Sequence, residues 1–373
     1  MKPVFESNGF VEEFTLGAGE LRFAVKDTLD IAGRPTRAGC PALADAPKAK
    51  QHARIVKVLL NSGCQLTGKT TLHELAFGVT GINPWSGTPV NPQYPALIPG
   101  GSSSGSATVV ARGDVDFALG TDTGGSVRMP AACCGVLGLK PGYGVLSRQG
   151  VLPAYSSLDC VGIFAREPRI LRDVLTRLAL PVDAPLDSLP AIGFIFAAQP
   201  DIDALLVDTL EALGIAANSV TLPLLGEAHR AGLTIINREN WLAFNALLAS
   251  HAVSPDVASR IQAGESITSD QLASAENVRA QFTAQVNALL EDTPLLALAT
   301  LPELPPTLEE AEDPLSVVNL TRLVRPFNLS GHPAISLPMG ELHGRPVALQ
   351  LVAGFGEEGL LVQAAEWLMH RRL

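Results

Sequence analysis

The chain has 373 residues, of which 47% are hydrophobic and 17% charged, so it holds enough apolar material for a substantial core. Its formal net charge of −10, without any basic run, argues against a nucleic-acid partner. No apolar stretch approaches the roughly 18 residues of a membrane-spanning helix, and the acidic residues 1–20 are unlike a secretory signal.

The cysteines indicate a reducing compartment. They are odd in number and stand in apolar surroundings, at Cys40, Cys64, Cys133, Cys134 and Cys160. Buried free thiols and a cytoplasmic location are therefore expected. Neither a CxxC pair nor a His/Cys spacing typical of metal ligands is present, so no metal site is predicted.

In chain order, the first part of the sequence predicts strands alternating with helices. Strands are predicted at 21–27, 64–66 and 115–120, and helices at 54–60 and 104–112. Residues 78–101 contain many Gly, Pro and Asn and should form a long ordered loop.

The middle of the chain predicts helices, and the end returns to strands. Helices are predicted at 168–180, 202–213, 239–249, 270–291 and 358–369, an extended segment at 293–306, and strands at 334–338 and 347–352. We predict one mixed α/β domain over residues 1–373, with a helical insert at about 168–292 capping one side.

Two clusters of Ser and Gly suggest an acyl-transfer site that works without histidine. Residues 100–106 read Gly-Gly-Ser-Ser-Ser-Gly-Ser, and residues 120–126 read Gly-Thr-Asp-Thr-Gly-Gly-Ser. Glycine density lets backbone N–H groups approach a ligand closely. Ser126 follows a predicted strand and is a candidate nucleophile; the alternative is a glycine-rich turn in which this serine caps a helix.

Lys69 is a candidate base and Ser102 a candidate relay. The pKa of the lysine would have to fall by about 3 units for it to accept a proton at pH 7. A hydroxyl donates and accepts at once, so Ser102 can stand between base and nucleophile. In isolation, these residues could equally be a structural lysine and a polar turn residue. His73 and His332 are interpreted as structural, because neither stands in a nucleophile elbow.

Residues 63–70 match the phosphate-loop pattern G-x-x-x-x-G-K-[ST]. In that site a strand precedes the first glycine and a helix follows the lysine. Here the preceding segment is predicted helical, and the strand falls inside the motif. Nucleotide binding is therefore not predicted.

These segments together resemble the amidase signature family of Ser–cis-Ser–Lys hydrolases. The resemblance rests on 24–27 (Ala-Val-Lys-Asp) with 68–70 (Gly-Lys-Thr), on 99–107 and 119–141, and on the closing segments 325–333 and 346–352. It implies a single α/β domain with a mixed, twisted sheet covered by helices on both faces. Within this family, the local sequence is most similar to the compact branch that contains plant indole-3-acetamide hydrolases.

The resemblance implies roles for individual residues. Lys69 would be the base, Ser102 the relay after a cis bond to residue 101, and Ser126 the nucleophile. The backbone N–H groups of Thr123, Gly124, Gly125 and Ser126 would form the oxyanion hole, and Asp122 and Arg128 would brace this loop as an ion pair. Ser103, Gly81, Trp85 and Tyr155 are the expected substrate contacts.

The expected activity is hydrolysis of a small amide without metal or organic cofactor. Aromatic and hydrophobic candidates around the pocket favour an aryl or alkyl acyl group over a highly charged one. The alternative is a glutamine-hydrolysing amidotransferase subunit that needs a partner chain. A catalytically dead binding protein is disfavoured, because all three triad positions are filled. A homodimer is the default expectation for the assembly.

Overall fold

A mixed sheet of eleven strands forms the centre of the computed structural model, which describes residues 6–371. The strands are β1 (Glu6–Ser7), β2 (Phe10–Leu16), β3 (Arg22–Lys26), β4 (Gln65–Thr70), β5 (Thr88–Pro89), β6 (Phe117–Asp122), β7 (Leu137–Lys140), β8 (Cys160–Ala165), β9 (Ile192–Phe194), β10 (Asn218–Ser219), β11 (Leu295–Ala299), β12 (Ala334–Leu342) and β13 (Arg345–Val352). The order across the sheet is β10-β9-β11-β13-β12-β7-β8-β6-β3-β4-β2, and β1 pairs separately with β5.

Helices pack on the sheet and on one another. They are α1 (Arg54–Asn61), α2 (Ser104–Arg112), α3 (Arg128–Cys134), α4 (Pro168–Arg177), α5 (Pro200–Ala212), α6 (Leu225–Phe244), α7 (Pro255–Ala263), α8 (Ser269–Asp292), α9 (Arg325–Leu329) and α10 (Glu358–Arg371). Helix α4 packs on β8 and α5 on β11 and β12, whereas α6, α7, α8 and α9 form a group centred on α6.

Local sequence explains most helix boundaries. Helix α2 ends at Gly113, which adopts a left-handed conformation with φ +89° that glycine tolerates best. Helix α8 starts with a capping box, in which Thr268 accepts from the N–H of Gln271 and the side chain of Gln271 accepts from the N–H of Thr268. Helices α4, α5 and α7 carry proline in the first turn, where no N–H is needed.

Strand β3 carries the first site residue at its carboxyl end. It runs parallel to both neighbours, β4 and β6, so the carboxyl ends of all three strands meet at one edge. Its alternating residues Phe23 and Val25 belong to one apolar cluster, and Ala24 belongs to a second cluster on the opposite face. Lys26 closes the strand at this edge, where β6 enters the loop that leads to Ser126.

Candidate active site

The side chain of Lys26 lies at the centre of the site. Its Nζ atom donates hydrogen bonds to Ser102 Oγ and to Thr121 Oγ1, both at 2.8 Å. The residue is 0% exposed, and this burial lowers the pKa of Lys26 to about 7, although the charges of Asp159 and Asp122 oppose the shift. The neutral amine is therefore accessible near pH 7.

The loop before α2 presents Ser102 to this amine. The peptide bond between Gly101 and Ser102 is cis, as the family resemblance implies. The carbonyl of Ser102 accepts a hydrogen bond from the backbone N–H of His73 at 3.0 Å, which fixes the loop from behind. Ser102 is completely buried, so no substrate reaches it directly.

Ser126 is the serine that a substrate can reach. The backbone N–H of Ser103 donates to the carbonyl of Ser126 at 3.4 Å, so the two serine segments lie side by side. Ser126 is partly exposed, whereas Ser102 and Ser103 are 0% exposed. The Ser126 hydroxyl has no hydrogen-bond partner among residues 6–371 and is free to meet a ligand.

The loop from Asp122 to Ser126 requires a glycine at position 125, directly before Ser126. Gly125 adopts φ +117°, and a Cβ atom there would overlap the Cγ2 atom of Val324. Its N–H donates to Asp122 Oδ1 at 2.8 Å and so holds the loop. This corrects the prediction that Gly125 offers its N–H to a substrate oxygen. The N–H groups of Thr123, Gly124 and Ser126 have no acceptor within the described part of the chain.

A buried ion pair between Asp122 and Arg128 braces the loop, as the family resemblance implies. Arg128 Nη2 lies 2.8 Å from Asp122 Oδ1, its Nε lies 3.0 Å from Oδ2, and both side chains are 0% exposed. Burial alone would raise the pKa of Asp122, but the charge and hydrogen bonds of Arg128 outweigh it and hold that pKa well below its usual range. Asn328 adds hydrogen bonds of 2.8 Å to the carboxylate and 2.7 Å to the backbone carbonyl of Asp122.

Removal of this arginine should strongly destabilise the fold. Arg128→Met would leave a buried carboxylate without its cation, which costs about 3–5 kcal/mol of the free energy of unfolding. Urea denaturation measures the change. As a control, Arg177→Met breaks the partly exposed pair with Asp173 and should cost less than about 1 kcal/mol. Equal small losses in both variants would contradict the structural role of Arg128.

The structure does not bring Lys69 to Ser102. The strand register places Lys69 beside Val25 and Thr70 beside Lys26. Neighbouring residues of paired strands share a face, so Lys69 and Lys26 point to opposite sides of the sheet. Lys69 Nζ lies 2.5 Å from Asp27 Oδ1 and donates to the carbonyl of Pro35 at 2.9 Å. Lys69 is therefore not placed to serve as the base of a relay through Ser102, and the amine in contact with Ser102 is that of Lys26.

Two further predicted substrate contacts are structural in this geometry. The Ser103 hydroxyl is buried, donates to the carbonyl of Thr121 at 3.2 Å and accepts from its N–H at 3.3 Å. Gly81 is buried with φ +79°, and a Cβ atom there would lie 2.5 Å from the Gly100 carbonyl oxygen. Both residues therefore shape the serine loop and are not placed to touch a substrate.

The two aromatic candidates lie at the surface. Trp85 is 40% exposed and lines a cavity of about 440 Å³ together with Lys69 and Asp27, on the far side from Lys26. This corrects its assignment to the substrate pocket. Tyr155 is 70% exposed and precedes Ser156 and Ser157, which Glu239 of α6 binds. A contact of Tyr155 with substrate stays a prediction.

The remaining candidates agree with a structural interpretation. His332 contacts Ser330 Oγ at 2.9 Å and Asn287 Oδ1 at 2.8 Å, and burial lowers its pKa to about 3. All five cysteines are buried and free. Residues 63–70 contain strand β4, and no α-helix directly follows them. The phosphate-loop geometry, in which a helix follows the lysine, is therefore absent there. Across residues 6–371, no group of three His, Cys, Asp or Glu could hold a metal ion.

Comparisons with known proteins agree with this geometry. A sequence model of the amidase family matches residues 21–216 and 202–362. Amidase 1 of Oryza sativa subsp. japonica is 34% identical over 93% of this chain and 89% of its own length. A glutamyl-tRNA(Gln) amidotransferase subunit of Halobacterium salinarum is 32% identical over 96% of this chain and 98% of its own length. A crystal structure of an amidase superposes with a TM-score of 0.84 at 31% identity, covering 94% of this chain and 84% of that one.

The fold and the matches define a hydrolase that acts on carbon–nitrogen bonds of amides. More narrowly, the chain belongs to the amidase family.

Proposed function

We propose that the chain hydrolyses small amides through an acyl-enzyme on Ser126, with Ser102 relaying the proton to neutral Lys26. The observation that carries this proposal is the 2.8 Å contact between Lys26 Nζ and Ser102 Oγ, made by an amine that burial has brought to a pKa of about 7. A general base works best when its pKa lies near the operating pH.

Acylation follows from this arrangement. When a substrate binds, the unpartnered Ser126 hydroxyl turns to donate to Ser102 Oγ, a contact that tightens only in the enzyme–substrate complex. As Ser126 Oγ attacks the amide carbonyl carbon, its proton passes to Ser102 while the Ser102 proton passes to Lys26. The free N–H groups of the 123–126 loop stabilise the negative charge on the carbonyl oxygen. When the C–N bond breaks, the same relay returns the proton to the departing amine. Water then attacks the ester and releases the acid by the reverse path.

Covalent labelling identifies the nucleophile in the protein of wild-type sequence. A fluorophosphonate, which reacts with activated serine, should add to one residue per chain as ammonia release from primary amides is lost in parallel. Peptide mass spectrometry should find the label on Ser126, and Ser126→Ala should remain unlabelled. Activity that survives complete labelling, or a label on Ser102 alone, would contradict the proposal.

A second candidate function is that of a glutamine-hydrolysing subunit. It is favoured by the relatives that are named as glutamyl-tRNA(Gln) amidotransferase subunits, which match over almost their full length. A glutaminase assay on the isolated chain, combined with size-exclusion chromatography, separates the two. Turnover of simple amides by the chain alone supports the first function; glutamine turnover that needs added partner chains supports the second.

The location is also part of the proposal. No helix within residues 6–371 is long and apolar enough to cross a membrane. The five buried free cysteines support a reducing compartment, and we propose the cytoplasm.

A further inference from the structure

Arg325, the first residue of α9, carries a partly buried positive charge that the proposed reaction does not use. Its Nη1 atom lies 2.6 Å from His229 Nε2, and its Nε atom is buried without any partner. Burial alone lowers its pKa to about 10, and no carboxylate in the described part of the chain contributes to that shift. Proteins rarely leave a buried cation without an anion, because its desolvation is then uncompensated.

His229 orients this guanidinium but cannot balance its charge. Burial and the charges of Arg325, Arg322 and Arg230 lower the pKa of His229 to about 3, so the ring is neutral. A neutral ring accepts the N–H of Arg325 Nη1 at Nε2. With Nη1 occupied, the Nε–Nη2 edge of the guanidinium stays free. Two parallel N–H donors on one edge match the two oxygens of a carboxylate.

The free edge lies beside the loop that carries the nucleophile. A Cβ atom on Gly124 would lie 3.3 Å from Arg325 Nε, and one on Gly232 of α6 would lie 3.0 Å from Arg325 Cγ. The arginine stem is thus held between two glycines. The preceding residue, Val324, packs on Gly125, and its carbonyl accepts from Arg128 Nη1 at 2.8 Å. Arg325 is therefore fixed relative to the Gly124 N–H.

We infer that Arg325 is a specificity-determining residue, which binds a carboxylate on the acyl part of the substrate and selects monoamides of dicarboxylic acids. The inference rests on the proposed function, because it places the amide carbonyl against the 123–126 loop. It also changes the sequence-based expectation of an uncharged aryl or alkyl acyl group.

Matched substrates test this inference. The monoamides of malonic, succinic, glutaric and adipic acid are each compared with the neutral amide in which an acetyl group replaces the carboxylate. We expect kcat/KM to favour at least one monoamide by about tenfold or more, since a charge-assisted bidentate contact has that strength. In Arg325→Gln this ratio should fall about tenfold or more, and Arg325→Lys should recover part of it.

A control and a binding measurement keep the inference separate from the mechanism. Arg322→Gln removes an exposed arginine nearby and should leave the ratio within about twofold. In a Ser126→Ala background, calorimetry should show that the preferred monoamide binds about tenfold more weakly once Arg325 is also replaced by Gln. An unchanged ratio and unchanged binding in Arg325→Gln would overturn the inference while leaving the amidase mechanism intact. Absence of any amide turnover by the wild type, with Arg325-dependent binding preserved, would instead count against the mechanism.

Discussion

Replacement of Lys26 by methionine is expected to lower kcat/KM for amides by about 10³-fold or more, because the relay loses its terminal base. In the wild type, kcat/KM should rise with pH through a midpoint near 7, since only the neutral amine accepts a proton and the pKa of Lys26 is about 7. The residual activity of Lys26→Met should lack this rising limb. Steady-state ammonia release from pH 5 to 9 measures both effects.

The same substitution should make the fold more stable at low pH. The pKa of Lys26 is lowered on folding from 10.5 to about 7, so the unfolded chain binds more protons between these values. Wild-type stability therefore gains from this group as pH rises from about 7 toward 10.5, and below 7 the full cost of the buried charge is present. Urea denaturation should show that the advantage of Lys26→Met is greatest below pH 7 and shrinks above it.

The matched control is the double variant Asp27→Asn/Lys69→Met. It removes the charges of Lys69, a second buried lysine, and of its partner Asp27 together, so neither is left uncompensated. This variant should keep kcat/KM within about tenfold of the wild type and retain the rising pH limb. Loss of activity in the double variant with full activity in Lys26→Met would restore Lys69 as the base.

The sequence could predict helices more readily than strands in this fold. Helix α2 was expected at 104–112 and spans Ser104–Arg112, and α8 was expected at 270–291 and spans Ser269–Asp292. Strands β7 and β8 were not predicted. Both are short apolar runs buried on each face, so they lack the alternation that distinguishes a strand from a buried helix. Helix α7 was also missed, since its nine residues span too few turns for a clear pattern.

The choice between two lysines depended on strand register, which the sequence does not contain. Both lysines lie in segments that resemble the family. Lys26 lies in the Ala-Val-Lys-Asp segment that carries part of the resemblance, and the sequence alone does not rank it above Lys69. A one-residue difference in pairing decides which side of the sheet a side chain occupies. The sequence did contain a usable signal: Lys26 lies at the end of the strand predicted at 21–27, and the second glycine cluster lies at the end of the strand predicted at 115–120. The structure pairs these two strands in parallel, so both ends meet at one edge. The support from Asn328, about 200 positions after Arg128, had no local signal at all.

Replacement of Ser126 by alanine should abolish turnover, by about 10⁴-fold or more in kcat, because the two hydroxyls that Lys26 contacts, those of Ser102 and Thr121, are buried and cannot replace the proposed nucleophile. The fold should be unaffected. The Ser126 hydroxyl makes no hydrogen bond within residues 6–371 and the residue is partly exposed, so the free energy of unfolding should change by less than about 0.5 kcal/mol.

Replacement of Ser103 should have the opposite effect to replacement of Ser126: a loss of stability with activity largely retained. Its hydroxyl is buried and bonded to both backbone groups of Thr121, so Ser103→Ala leaves these groups unsatisfied and should cost about 1–3 kcal/mol of stability. It is not part of the relay, and at temperatures where it is folded it should retain far more activity than Ser126→Ala. Ammonia release and urea denaturation on both variants measure the contrast. Near-normal turnover by Ser126→Ala would show that the acyl group is carried elsewhere, because an alanine has no atom that could form the ester.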